Sequence, residues 1–375
     1  MAKGDEDVSL KYWVGFNLVK GIGPMKVRAL LDYFGDLGNA WHADTAALSQ
    51  AGLDRRALNS LLKARAQLDL DAELGKLAER GIKALTWHDP DYPPRLLQIP
   101  NQPPVLYMRG RLDAEDEWAV AVVGTRRASA YGKNVTQRLV TDLAVNHVTI
   151  VSGLARGIDG EAHRVALKAG GRTVAVLGCG LDLIYPPEHH NLAREILESG
   201  ALVSEYPLGT RPEASNFPPR NRIISGLSLG VLVIEAGLKS GALITADYAA
   251  DQGRDVFAVP GNLFVRSSAG TNRLIQDGAK LVMGAEDILE ELNLMMVAQQ
   301  VEVRAVVPET ETEALILQQL SLEPVHVDEL ALRVELPISD VTSNLALMEL
   351  KGMVRQVGGM NYVLMHEARV EYRVD

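Results

Sequence analysis

Seven short, nearly unbroken apolar runs, at 120–123, 148–151, 173–177, 201–204, 231–234, 256–259 and 280–283, alternate with helical periodicity near 132–145, 158–169, 188–198, 220–227, 242–251, 269–276 and 286–292. Runs this short, without polar alternation, suit strands covered on both faces. Strands that alternate with helices pair in parallel through helical crossovers. The expected fold class is therefore α/β, an open, mostly parallel sheet with helices on both faces. Ligands of such sheets sit beyond the carboxyl ends of the strands, so the residues after each run are the first candidates for function.

Those strand ends are rich in small residues, hydroxyls and cations. The second run leads into Ser152-Gly-Leu-Ala-Arg-Gly-Ile-Asp-Gly-Glu-Ala-His163, a strand, a Gly-rich turn and a helix. Such a turn aims backbone N–H groups and a helix N-terminus at one point, which attracts an anion, usually a phosphate. Arg156 adds a planar donor fork. The alternative is an ordinary strand-to-helix connection with Gly for tightness. The other ends carry Gly124-Thr-Arg-Arg127, Gly178-Cys-Gly180, Glu205-Tyr-Pro207, Glu235-Ala-Gly-Leu-Lys-Ser-Gly241 and Pro260-Gly261. Asn216-Phe-Pro-Pro-Arg-Asn-Arg222 opens a further helix. There Arg220 and Arg222 bracket Asn221 in a pattern suited to phosphate contacts, and Phe217 is placed to stack a base. The alternative puts Phe217 in the core and pairs the arginines with Glu205 or Glu235.

Common cofactor motifs do not fit. Seven residues separate Gly124 from Gly132-Lys133, where a P-loop has four, and Asn134 replaces its Ser or Thr. Gly178-Cys-Gly180 lacks the third Gly of a dinucleotide fingerprint, with Leu183 in its place. His163, His189 and His190 lack metal-ligand spacing, and Ser152 has no nearby His/Asp relay in sequence. No cofactor, metal or catalytic residue is expected, and His163 reads as a helix-surface or packing residue.

The net charge of −10 argues at first against a nucleic-acid partner, but its distribution is uneven. Residues 121–173 carry 8 Lys and Arg against 3 Asp and Glu, whereas residues 296–375 carry 6 against 13. A local basic patch on an acidic protein still binds a polyanion, because screening confines the field to about 8–10 Å. Cys179 is the only cysteine, which leaves no intrachain disulfide and no Cys-based metal site. No apolar run approaches the roughly 20 residues of a membrane span, and the polar, acidic start is unlike a secretory signal. A cytoplasmic protein is expected.

Before the sheet, Leu18-Val-Lys-Gly-Ile-Gly-Pro-Met-Lys-Val-Arg-Ala-Leu-Leu31 reads as helix, tight turn, helix. It resembles a helix-hairpin-helix, whose turn offers N–H groups to a DNA phosphate, with Lys20, Lys26 and Arg28 flanking it. A small bundle for protein contacts is the alternative. The Pro-rich segments 88–97 and 100–104 lie over the sheet's edge, and 105–108 is placed to add a strand. After it come a Gln/Val/Glu-rich linker, three helical patterns and a hairpin turning at Gly358-Gly359, a winged-helix pattern. Its last helix, 338–350, holds only Asp340 and Glu349 as charged residues. Groove-reading helices are basic, so protein contacts or dimer arrangement are expected of it rather than direct DNA readout.

Seven motifs occur together in order: Val123-Gly-Thr-Arg126 with Ser129 and Tyr131-Gly132, Ser152 to Asp159 with His163, Tyr185-Pro186, Ser204-Glu-Tyr-Pro207, Phe217 to Ile224, Ser240-Gly-Ala-Leu-Ile-Thr-Ala246, and Val259-Pro-Gly261. This set is similar to the DNA processing protein A family, also called DprA or Smf, over about 118–285. The resemblance implies a Rossmann-like core at 86–293, after a SAM-like or helix-hairpin-helix-like domain at 1–85. A linker at 294–310 and a winged-helix-like domain at 311–367 follow. It implies a homodimer that binds single-stranded DNA, protects incoming strands in natural transformation, loads a RecA-type recombinase and is no enzyme. The implied DNA-binding residues are Gly124, Arg126, Ser152, Gly153, Arg156, Arg220, Asn221, Arg222, Lys239, Ser240, Gly241 and Thr245. One rival is an enzyme of the related Rossmann-like superfamily that cleaves nucleotide N-glycosidic bonds. Its Pro-Gly-Gly-x-Gly-Thr turn is replaced here by Glu235 to Gly241, and only Asp247 and Asp251 follow on the helix. Another rival is a protein-interaction scaffold with incidental DNA affinity.

Overall fold

The computed structural model describes residues 3–294, 310–320, 324–334, 336–350 and 354–364. The chain divides into two compact units, Met1–Leu292 and Asn293–Asp375. Most of the expected linker, 294–310, lies outside the described residues.

The first unit opens with helices α1 (Lys3–Leu18), α2 (Pro24–Phe34), α3 (Leu37–His42), α4 (Thr45–Gln50), α5 (Arg55–Gln67) and α6 (Leu70–Glu79). Four of them start at an Asp. The side chains of Asp36, Asp44, Asp54 and Asp69 accept from the N–H groups of Asn39, Ala47, Ala57 and Ala72 at 2.8–3.0 Å, each satisfying a donor the helix leaves open. The hairpin turn between α1 and α2 forms as expected, with Gly21 at φ +92° and Pro24 in the first turn of α2. Two of its three flanking cations are engaged within the protein. Lys26 donates to the Gly21 carbonyl and to Asp54 at 2.9 and 2.5 Å, and Arg28 lies 4.6 Å from the Trp87 ring centre. Lys20 is exposed.

A nine-stranded sheet follows. Its strands are β1 (Ile82–Thr86), β2 (Val105–Gly110), β3 (Ala119–Val123), β4 (Thr149–Ser152), β5 (Thr173–Val176), β6 (Ala201–Ser204), β7 (Gly230–Val233), β8 (Asp255–Ala258) and β9 (Lys280–Leu281), in the order β1-β2-β6-β5-β4-β3-β7-β8-β9. β3 to β9 run parallel, while β1 and β2 add an antiparallel edge. The seven expected strands are present. The strand expected at 105–108 is β2, and β1, which the apolar pattern did not reveal, spans the expected boundary at 85/86. Burial at both faces explains the unbroken apolar runs: β3, β4, β5, β6 and β7 are buried at every residue. Each fully buried Val, Leu or Ile contributes about 1.5–3 kcal/mol. The helical region shares this core, since Trp13, Phe16 and Leu30 cluster with Tyr107, Ala175 and Leu202 of the sheet. The buried Tyr107 hydroxyl also donates to Asn17 at 2.9 Å.

The Pro-rich segment holds one short helix, α7 (Pro94–Leu97), with proline in its first turn, and the crossover helices are α8 (Ala130–Val145), α9 (Ile158–Lys168), α10 (His190–Ser199), α11 (Phe217–Gly226), α12 (Gly241–Asp251) and α13 (Ala269–Gln276). Successive strands β3 to β6 proceed to one side of β3, while β7 lies on its other side. The strand order thus reverses between β3 and β7, which opens a crevice at their carboxyl ends.

The second unit has helices Glu311–Gln319, Val327–Val334 and Ile338–Leu350 and strands Val325–His326, Val354–Gln356 and Asn361–Leu364. The last two form the expected hairpin, with Gly358 at φ +101°. Ile316, Leu330, Val341, Leu345 and Tyr362 are among its core residues. This is a winged helix.

Candidate nucleic-acid interface

The crevice between β3 and β7 has a volume of about 640 Å³. Its first wall is the loop after β3. Gly124 sits where a Cβ would lie 2.6 Å from Ile158 and 3.1 Å from the Glu235 carbonyl oxygen. The Thr125 N–H donates to that same carbonyl at 2.7 Å, and the Thr125 carbonyl accepts from Ile158 N–H at 3.2 Å. The loops after β3, β4 and β7 are thus tied to one another. Ser129 caps α8, accepting from Gly132 N–H at 3.0 Å, and donates through its own N–H and hydroxyl to Glu235 at 3.0 and 3.1 Å. Glu235 is therefore held by Ser129, and no arginine pairs with it among the described residues. From this anchored loop Arg126 and Arg127 project as exposed cations.

The second wall is α12. Ser240 caps it, accepting from Ala242 N–H at 3.3 Å. Lys239 is exposed at its start, without a hydrogen bond or ion pair among the described residues. Gly241 has nothing within 4 Å of where a Cβ would be, which leaves its backbone open to a ligand. A helix N-terminus beside a lysine favours negative charge. Asn221 donates to the Gly241 carbonyl at 3.2 Å and so braces α12 against α11. Thr245 lines the same wall, mostly buried.

The third wall is aromatic. Phe217, at the start of α11, is half-buried and lines the crevice rather than joining the core. Its ring lies 5.7 Å from that of Tyr185, inclined by 32°, and Arg126 lies 5.3 Å from its centre. Tyr185 and Arg127 are wall residues that the motif pattern did not single out for binding.

Arg220 is the floor. It is buried, donates to the Gly153 carbonyl at 2.8 Å and to the Val176 carbonyl, and lies 5.8 Å from the Phe217 ring. Burial pushes its pKa down to about 10, with Asp159 opposing the shift. Asp159 is itself buried and accepts from Gly153 N–H at 3.2 Å. Burial raises its pKa, against the opposing fields of Arg220 and Arg126. No direct ion pair joins Arg220 to Asp159, but their opposite charges offset each other across the floor, so the exposed Arg126, Arg127 and Lys239 carry the positive charge of the crevice.

Of the twelve residues expected to bind DNA, Gly124, Arg126, Arg220, Asn221, Lys239, Ser240, Gly241 and Thr245 line this crevice. Ser152, Gly153, Arg156 and Arg222 do not. Ser152 is fully buried and donates to the Val122 carbonyl at 2.6 Å. Gly153 lies beneath Arg220, where a Cβ would meet the guanidinium at 2.7 Å. Arg156 is exposed but paired with Glu188, whose carboxyl it holds down to about 2. Arg222 grips Glu205 through two bonds of 2.6 and 2.7 Å and faces a different cavity. His163 is buried in packing, its Nδ1 2.7 Å from the Thr173 hydroxyl. No group of three or more potential metal ligands occurs among the described residues. No described helix is long and apolar enough to cross a membrane.

The family model for DNA recombination-mediator protein A matches residues 83–293. The model for the DprA winged helix domain matches residues 301–360. Protein Smf of Synechocystis is 37% identical over 94% of this chain and 98% of its own length. Protein Smf of Escherichia coli is 41% identical over 87% and 89%. Among solved structures, DNA processing protein A from Streptococcus pneumoniae superposes with a TM-score of 0.67 at 36% identity, covering 75% of this chain and 97% of that one. DNA processing protein A from Helicobacter pylori, described for its single-stranded DNA binding mode, gives a TM-score of 0.51 at 32% identity over 56% and 95%.

Proposed function

The chain belongs to the DNA recombination-mediator protein A family, and on that premise we propose that its crevice binds single-stranded DNA. The carrying observation is the convergence of exposed cations, Arg126, Arg127 and Lys239, an open helix N-terminus at Gly241 and the ring of Phe217 in one crevice. Cations and N–H groups hold phosphates, and an aromatic face accepts any base, which gives sequence-tolerant binding. The protein works by binding, without catalysis, in the cytoplasm, protecting incoming strands in natural transformation and loading a RecA-type recombinase onto them. Phosphate-binding roles go to Arg126, Lys239, Ser240 and Gly241, and supporting roles to Gly124, Arg220, Asn221 and Thr245.

A homodimer is part of this reading. Leu263, Phe264 and Met283 are 83%, 95% and 77% exposed around the last strands, and apolar side chains this exposed suit an interface. The winged helix serves protein contacts: its last helix exposes Ser339, Asp340, Ser343 and Leu347 and carries no basic residue.

The test is fluorescence anisotropy of labelled oligo-dT over a salt series, for the wild type and for Arg126→Ala with Lys239→Ala. The expected result is a negative salt slope and a large loss of affinity in the double variant. Unchanged binding in the variant moves the DNA site out of the crevice, and no binding at low salt sinks the mediator reading.

A further inference from the structure

Neighbouring prolines of α11 face different spaces. Pro218 lines the crevice, whereas Pro219 lines a second cavity of about 470 Å³. This cavity lies where the N-terminal hairpin meets the sheet region. Its sides include Pro24 of α2, Pro100 of the Pro-rich segment, and the rings of Tyr206 and Tyr248.

The hydrogen-bonding groups around it are unbalanced. The buried donors are engaged. Arg222 directs Nε to the Asn101 carbonyl at 3.1 Å, both terminal nitrogens to Glu205, and Nη1 also to the Pro219 carbonyl at 3.0 Å. The Gln252 amide donates to the Arg222 carbonyl at 3.0 Å, and the Tyr206 hydroxyl to the Asn216 carbonyl at 3.1 Å. The acceptors lack partners. Gln252 Oε1 is buried without a partner. Asp251 and the Tyr248 hydroxyl, which line the same cavity, have no hydrogen bond or ion pair among the described residues. Gln252 Oε1 is closed off by the surrounding protein, so the unpaired groups that line the cavity are Asp251 and the Tyr248 hydroxyl.

We propose that this cavity binds an organic cation, an alkylammonium or alkylguanidinium group. Its charge sits beside Tyr206, Tyr248 and Asp251. Aromatic faces next to a carboxylate select a cation with an organic surface. Glu205 and Arg222 neutralise each other, which leaves Asp251 as the unpaired charge of the cavity and disfavours an anion. A small metal ion is disfavoured because the Glu205 carboxylate is already held by Arg222 and hard cations need several oxygen ligands. A free polyamine and an arginine or lysine side chain of a partner protein present the same chemistry.

The experiment uses the full chain without DNA, so its outcome is independent of the DNA reading. Spermidine, agmatine and N-acetyl-arginine amide are titrated calorimetrically into the wild type, Tyr248→Leu, Asp251→Asn and Asp247→Asn, each first shown to be folded. Saturable binding is expected. It should weaken by about tenfold in Tyr248→Leu and Asp251→Asn, the loss that one cation contact of roughly 1.4 kcal/mol implies. Asp247 is exposed on the same helix but does not line the cavity, so Asp247→Asn should bind as the wild type does. Tighter binding of the polyamines identifies a small-molecule ligand, and tighter binding of the arginine amide identifies a protein side chain. Either supports the proposal. Absence of saturable binding overturns it, as does an equal loss in Asp247→Asn, which would reduce the effect to diffuse attraction by the acidic surface.

Discussion

The guanidinium carbon of Arg126 lies 5.3 Å from the centre of the Phe217 ring, and both side chains line the crevice. The contact joins a phosphate-binding charge to a base-stacking face. It also restrains a long, exposed side chain, so less rotamer freedom is lost on binding. Phe217→Leu keeps an apolar side chain but removes the ring. Its affinity for oligo-dT should fall roughly tenfold, within the range of about 1–3 kcal/mol for one stacked base. Arg126→Ala should instead flatten the log–log salt slope by about 0.7, one phosphate's share on single strands. Anisotropy titrations at several salt concentrations separate the two. Identical slopes for the wild type and Arg126→Ala would remove Arg126 from the phosphate track.

Arg220 should behave as a structural residue. Its guanidinium is buried and donates to the carbonyls of Gly153 and Val176 at the ends of β4 and β5. Arg220→Ala leaves those carbonyls without their donor and Asp159 without the cation that most offsets its burial. A loss of about 2–4 kcal/mol in urea-unfolding free energy is expected, whereas exposed Arg126→Ala should change stability by less than about 0.5 kcal/mol. Equal stability of the two variants would contradict a floor role for Arg220.

That difference shows where local sequence pattern stops being informative. The strands at 120–123 and 201–204 are legible because burial on both faces forces an unbroken apolar run. α11 starts at Phe217 rather than at 220, because prolines fit the first turn of a helix, where no N–H is needed. β1 escapes notice because Ile82–Thr86 is short, carries Lys83 and directly follows a helix. In the crevice, the strand-end rule and motif order locate Arg126, Lys239 and Gly241. Whether an arginine near them faces outward depends on partners far away in the chain. Arg220 and Arg222 both look like phosphate ligands, yet one meets Gly153 and the other Glu205. Glu205 is legible as a partner for one of these arginines, whereas the pairing of Arg156 with Glu188, 32 residues away, is invisible to local pattern.

The Arg156–Glu188 pair implies competition. Glu188 withdraws one cation of the Gly-rich turn from any phosphate that approaches, and both side chains are about half exposed. Glu188→Gln releases Arg156 without changing shape. If the DNA path passes the turn after β4, the variant should bind oligo-dT more tightly at low salt, with a steeper slope by about 0.7. An unchanged slope would place the path on the β3 and β7 loops alone. Because Arg156 holds the Glu188 carboxyl down to about 2, acidification to pH 5 should not mimic the variant.

His163 predicts a pH dependence of stability. It is fully buried, and burial, with the nearby charges of His189, Arg164 and Arg220, pushes its pKa down to about 3. The Thr173 hydroxyl donates to the Ile150 carbonyl at 2.7 Å, so its oxygen accepts from His163 Nδ1–H at 2.7 Å. His163 Nε2 then carries a lone pair without a partner. A depressed histidine pKa means that the unfolded chain, near 6.5, binds the proton that the folded protein refuses. The stability contributed by neutral His163 is therefore complete above about pH 6.5 and declines as pH falls toward 3, by up to about 1.4 kcal/mol per pH unit. Urea unfolding at pH 7.5, 6.0 and 5.0 should show this decline in the wild type. His163→Gln, which keeps a donor for Thr173 but cannot titrate in this range, should lower stability at pH 7.5 and lose most of the slope between pH 6.0 and 5.0. A slope that persists undiminished in the variant would assign the acid sensitivity to other groups.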